Sequence, residues 1–118
     1  MDLAVEQELS MAVMNLIALE EHLAFTIART KKDKYIGLYN AIRALRSKYL
    51  KKIIKNDEGE LWCAAKHSLI STMHLMETGI KFGAQGKNKE AMEYFKDAIE
   101  NYHAFWVMQE LGVKEEKK

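Results

Sequence analysis

The stretch ELWCAAKHSLISTMHLMETGIKFG, residues 60–83, decides the fold predicted for this chain. After Glu60 it has three charged side chains, which fall in one narrow arc of a helix together with the two histidines. The rest of the circumference is apolar, and a helix of that composition is surrounded by other helices. The stretch is therefore predicted to be helix 3, the central helix of a small bundle.

Apolar residues at helical spacing predict three more helices. Helix 1 is expected from about Leu3 to Ala28, helix 2 from an N-cap at Asp33 to about Lys55, and helix 4 over 88–111. Turn residues at 29–34, 56–59 and 83–86 separate the four helices. We predict an all-α fold, an antiparallel up-and-down four-helix bundle with helix 3 central. Residues 1–113 would form one domain and residues 114–118 a solvated tail.

Composition indicates a soluble globular protein, with 48% hydrophobic and 30% charged residues among 118. The apolar runs fall short of the roughly 18 residues of a membrane span. The N-terminus is acidic, whereas a secretory leader begins with basic residues. The single cysteine, Cys63, excludes an internal disulfide and a cysteine-rich zinc site. We expect a cytoplasmic protein that does not bind membranes and needs no cofactor.

The end of helix 3 and the start of helix 4 carry small and aromatic residues at characteristic spacings: Leu75, Gly79, Phe82, Gly86, Ala91, Phe95 and Ala98. Residues 72–105 in this way resemble a single tetratricopeptide unit. The chain departs from that family at Thr78 and His103, and no second copy lies about 34 residues upstream. The resemblance implies a helical hairpin closely packed at Gly79 and Ala91, and a protein-interaction role.

Helix 1 has two apolar stripes, although one seam of a bundle requires only one. The main stripe is predicted to be buried and consists of Val5, Leu9, Ala12, Val13, Leu16, Leu19, Leu23 and Ile27. The second stripe is predicted to be the contact surface of a homodimer and contains Met14, Ile17, Ala18 and Phe25. No catalytic set is recognisable in the sequence. The leading functional hypothesis is a self-associating protein-interaction or scaffold module.

Two charged residues, Glu20 and Arg46, interrupt apolar stripes of helices 1 and 2. A buried charge needs a partner, so the two could form an ion pair between the helices. Alternatively, Arg46 could lay its methylene groups on the core and extend its guanidinium into water. The pair could also line a ligand cavity.

A metal or small-ligand site is the first alternative function. Cys63, His67 and His74 share one stripe of helix 3, and thiolate and imidazole at this spacing can bind zinc or another transition metal. Glu20 and His103 could complete such a site. The competing interpretation is a polar helix edge whose side chains bond to neighbours or water.

Polyanion binding is the second alternative function. Residues 29–55 carry ten basic side chains against Asp33 alone, and one arc of helix 2 holds Lys34, Lys48, Lys51, Lys52 and Lys55. Lysines in such an arc can contact nucleic-acid phosphates. Tyr35, Tyr39 and Tyr49 are expected on the apolar side, too far from the lysines to stack on bases. Together with the lack of a known nucleic-acid motif, this favours a solvated face that balances the acidic helices.

Overall fold

A computed structural model of the chain describes residues 1–54 and 59–116, with side chains as far as Leu111. The described residues contain four long helices and no strand. The prediction of an all-α fold is confirmed. The helices are α1 (Leu3–Thr30), α2 (Ile36–Ile53), α3 (Gly59–Ala84) and α4 (Asn88–Glu116), with a short 3-10 helix at Asp33–Tyr35.

The chain divides into two compact units, Met1–Ile53 and Ile54–Lys118. The first unit is an antiparallel hairpin of α1 and α2, and the second is an antiparallel hairpin of α3 and α4. Each pair is joined by a short connection, which makes consecutive helices antiparallel neighbours.

The α1–α2 hairpin has capped ends at α1 and a tight turn. The Asp2 carboxylate accepts a hydrogen bond from the Val5 amide at 2.9 Å, which caps the start of α1. At the other end Lys31 adopts the left-handed conformation, and its amide donates to the Ile27 carbonyl. Asp33 is not the N-cap that we predicted, because it lies inside the 3-10 helix and the cap residue is Lys32.

The buried side of α1 differs from the predicted one. It consists of Ser10, Val13, Met14, Ile17 and Glu20, so Met14 and Ile17 are inside the protein rather than on a contact surface. Val5 and Leu19, which were predicted to be buried, are exposed. Helix α1 is apolar around most of its circumference, so periodicity alone could not determine which side turns inward.

The α3–α4 hairpin packs most closely at Gly79. A Cβ atom on Gly79 would lie 2.6 Å from Cε1 of Phe95 and 3.3 Å from the Ala91 carbonyl oxygen. Only a residue without a side chain allows this approach of the two helices. Phe82 stacks on Tyr94 beside it, with ring centroids 5.2 Å apart. The close packing at Gly79 and Ala91 that the resemblance implied is present.

The second hairpin turns at Gly86, before α4, and ends with the last residues of α4. Gly86 has a positive φ of 77° and closes the turn after α3, and its amide donates to the Gly83 carbonyl. Helix α4 continues to Glu116 and so includes residues 114–116 of the predicted tail. Of the turn predicted at 56–59, Gly59 is the first residue of α3, and residues 56–58 lie outside the described residues together with Lys55 and residues 117–118.

Candidate functional site

Glu20 of α1 and Arg46 of α2 lie together in the first hairpin. The Arg46 Nε donates to Oε2 of Glu20 at 2.9 Å, and Nη2 donates to Oε1 at 3.1 Å. A third guanidinium nitrogen, Nη1, donates to the Ser47 hydroxyl at 3.3 Å. Both charged residues are more than nine-tenths buried. The two planar groups therefore meet along one edge, in the bidentate geometry that arginine forms with carboxylates.

This ion pair explains how two charges can lie in apolar stripes. Desolvation of each charge is offset by the partner and by the three hydrogen bonds. Because the contact requires one relative position of the two groups, it also fixes the register of α1 against α2. Both Glu20 oxygens already accept hydrogen bonds from Arg46, which leaves a poor ligand for a metal ion.

The proposed metal ligands do not converge in the described part of the chain. Cys63, His67 and His74 are exposed on α3, and His103 is exposed on α4. Among the described residues no group of three or more His, Cys, Asp or Glu is close enough to hold a metal ion. The helical spacing places three of these residues on one stripe of α3, but the described residues form no metal-binding cluster there.

A row of side chains on the outer surface of α1 contains the most exposed large apolar residue of the first hairpin, Phe25. Met11 is 49% exposed and Phe25 is 71% exposed, and Ala18 between them is partly exposed. The three lie seven residues apart, close to two turns of helix, so they form one straight row. Glu20, which faces α2, is two residues or about 200° from Ala18. The outer row (Met11, Ala18 and Phe25) therefore points away from α2.

An open apolar groove lies between α1 and α2 near their connection. Its volume is about 310 Å³, and it is lined by Ala24, Ile27, Ala28, Ile36, Tyr39 and Asn40. Phe25 follows Ala24 directly along α1 but is directed to solvent. The groove is shallow and mostly apolar, and it holds no acid–base pair that could perform chemistry.

The lysines of α2 lie closer to tyrosines than we predicted. The Lys48 and Lys52 ammonium groups are 5.4 and 5.7 Å from the centroid of the Tyr49 ring. Lys34 lies 5.2 Å from the centroid of Tyr35. Lysine side chains are long and flexible, so their ammonium groups can approach tyrosine rings at other angular positions of the helix. The positions of the Cα atoms on a helical wheel did not account for this reach. Lys51 is exposed on the same helix.

A hydrogen-bond network between α3 and α4 was missed by the sequence reading. The Ser68 hydroxyl donates to the Asn101 carbonyl oxygen at 2.8 Å, and Asn101 Nδ2 donates to the Ser68 carbonyl at 2.9 Å. Asn101 Nδ2 also lies 3.3 Å from the Thr72 hydroxyl. Ser68 and Thr72 are buried at a four-residue spacing on the side of α3 that contacts Asn101. That spacing was the available signal, because a buried hydroxyl requires a partner.

Helix α1 is also long and apolar enough to cross a membrane, judged by length and composition. A window of 18 residues in it qualifies, and 22% of that window is buried inside the protein. An N-terminal signal or the core helix of a soluble protein meets the same criterion. The property agrees with an α1 that is apolar and largely exposed.

Comparison with protein-family models, curated proteins and solved structures finds no match to this chain. The arrangement of its own residues thus carries the functional inference.

Proposed function

We propose that this protein is a self-associating helical interaction module that acts in the cytoplasm without a catalytic site. The observation that carries the proposal is the outer row of α1, in which Phe25 is 71% exposed. Single exposed apolar residues are common on protein surfaces, but a straight row of them on one helix favours a contact surface. The exposed thiol of Cys63 is compatible with a reducing compartment.

The contact surface that this proposal assigns is shifted from the one expected from the sequence. Met14 and Ile17 are buried in the structure, which removes them from any contact with a second chain. Ala18 and Phe25 remain accessible, and Met11 joins them. A partner helix laid along this row would cover Phe25, and a buried aromatic of that kind commonly dominates a helical interface.

The experiment is a measurement of molar mass by light scattering over a micromolar concentration series. We expect the wild-type protein to have twice the 13.6 kDa mass of one chain. Phe25→Lys should raise the dissociation constant at least about thirtyfold, since interface anchors contribute about 2 kcal/mol or more.

Met92→Lys is the matched control for that variant. Met92 is also 71% exposed, but it lies on α4 in the other hairpin. It should leave the mass unchanged. A wild-type mass of one chain together with co-sedimentation on phosphatidylglycerol vesicles would overturn the proposal and assign the row to a lipid surface.

Polyanion binding is a second candidate, favoured by the cationic surface of α2. Residues 34–54 contain six basic side chains and no acid, and Arg46 is the one engaged with Glu20. Tyr49 lies among these lysines, so an aromatic ring is available beside the phosphate-binding groups. Fluorescence titration with a 20-nucleotide single strand at several salt concentrations tests the candidate.

Lys48→Glu combined with Lys52→Glu should weaken that binding and reduce its salt dependence by about two phosphate contacts. Lys81→Glu on α3 is the control and should have a smaller effect. Binding that is equally reduced by the control would contradict a specific site on α2.

A further inference from the structure

We infer that two copies of the chain pair through α1 in an antiparallel arrangement, with a two-fold axis at Ala18. This inference rests on the self-association proposed above and specifies its geometry. It is carried by two independent features of the exposed side of α1, the spacing of the outer row and the charges beside it.

The outer row is symmetric about Ala18. Met11 precedes Ala18 by seven residues and Phe25 follows it by seven, so each lies about 10 Å from Ala18 along the helix axis. In an antiparallel pair centred on Ala18, Met11 of one copy is level with Phe25 of the second. Methionine sulfur packs favourably against aromatic rings, and this contact would occur twice. The small side chain of Ala18 allows close approach at the centre.

The charges that flank the row are complementary in the same arrangement. Glu8 and Arg29 are both exposed, and each follows a row-aligned position, Ala4 or Phe25, by four residues. They therefore lie on the same flank of α1. A two-fold axis perpendicular to the helices places this flank of one copy next to the same flank of the second. Glu8 of one copy is therefore opposite Arg29 of the second. Their levels along the axis differ by about 1.5 Å.

A parallel pair would lack this complementarity. Its two-fold axis would run along the helices, so equal flanks would fall on opposite sides of the contact, and Glu8 of one copy would be about 30 Å from the level of Arg29 of the second. The acidic start and basic end of α1 thus favour the antiparallel orientation. Asn15 and His22, which occupy the same flank, would also lie opposite each other.

Cysteine cross-linking tests the axis directly. In a Cys63→Ser background, Ala18→Cys should form a disulfide-linked dimer with oxidised glutathione, because facing Cα atoms at an axis fall within disulfide range. Met11→Cys in the same background should not, since its two copies would be about 20 Å apart along the helix axis. The wild-type protein, whose thiol at Cys63 is exposed, is the control for random collision.

Charge reversal tests the flank. Glu8→Arg and Arg29→Glu should each raise the dissociation constant about fivefold, because each change affects two exposed ion pairs per dimer. The chain that carries both substitutions should return to within about twofold of the wild type. Circular dichroism of every variant establishes that it is folded.

The outcomes separate this inference from the proposed function. If the wild type is dimeric but Ala18→Cys does not cross-link, or Met11→Cys cross-links as readily, the antiparallel axis is wrong and self-association stands. Failure of the double charge reversal to restore binding would also overturn the pairing. A wild-type protein that is monomeric at all concentrations would contradict both the antiparallel pairing and the proposed self-association.

Discussion

The contacts that join the two helices of a hairpin differ between the first hairpin and the second. In the α1–α2 hairpin, a buried ion pair between Glu20 and Arg46 joins the helices. In the α3–α4 hairpin, the contacts described above are neutral and distributed, from the close approach at Gly79 to the hydrogen bonds of Asn101. A charged contact depends entirely on its partner, whereas a distributed neutral contact can lose one member and retain the rest.

The largest expected effect is the loss of one partner of the ion pair. Arg46→Met should destabilise the protein by about 3–5 kcal/mol, because the Glu20 carboxylate would remain buried without its partner. Chemical denaturation monitored by circular dichroism measures this change. Arg43→Met is the control, since Arg43 is exposed on the same helix, and it should change stability by less than about 0.5 kcal/mol.

The Arg46→Met chain with Glu20→Gln added should recover part of the loss, because a neutral amide costs less to bury than an unpaired charge. Additive effects of the two substitutions would contradict the coupling. They would also remove the contrast between a charged and a neutral hairpin.

The charged residues of the first hairpin could be singled out from the sequence, but their contact could not be decided. Glu20 and Arg46 stand out because each interrupts an apolar stripe. Whether Arg46 reaches Glu20 or water depends on the register of α1 and α2. That register is set partly by the 3-10 helix and the left-handed Lys31, which the periodicity of the helices does not encode.

The all-α fold and the packing at Gly79 were predictable because glycine, alanine and phenylalanine have distinctive sizes at helical spacing. The orientation of α1 was predicted only in part: Val13 is buried and Phe25 exposed as expected, but Ile17 is buried and Val5 is exposed. A helix that is apolar on most sides carries no periodic signal for its inward face. The hydrogen bonds of Ser68 were missed for a related reason, since hydroxyls also bond to their own helix.

The next largest effect should appear at the close approach of α3 and α4. Gly79→Ala should destabilise by about 1–3 kcal/mol, because the new Cβ would overlap the Phe95 ring and press on the Ala91 carbonyl. Gly83→Ala is the matched control one turn later. Its Cβ would lie 3.9 Å from that of Ala91, an ordinary contact, so it should stabilise by roughly 0.5–1 kcal/mol. Equal effects would show that the helices are not closest at Gly79.

The smallest of the three effects should come from the neutral network of the second hairpin. Asn101→Ala removes the side-chain donor to the Ser68 carbonyl and, at the longer distance of 3.3 Å, to the Thr72 hydroxyl, but the Ser68 hydroxyl can still donate to the backbone carbonyl of residue 101. The expected loss is therefore about 1 kcal/mol, the usual net value of one good hydrogen bond, because the bond to Thr72 is long.

Asn40→Ala on the exposed side of α2 corrects for the higher helix propensity of alanine. After this correction, the loss of stability measured by denaturation should be much smaller for Asn101→Ala than for Arg46→Met. If Asn101→Ala destabilised the protein as much as Arg46→Met, the hydrogen bonds of Ser68, Thr72 and Asn101 would form one cooperative unit that is lost when a single residue is removed. The second hairpin would then depend on a single contact in the same way as the first, and the distinction between charged and neutral packing would not hold.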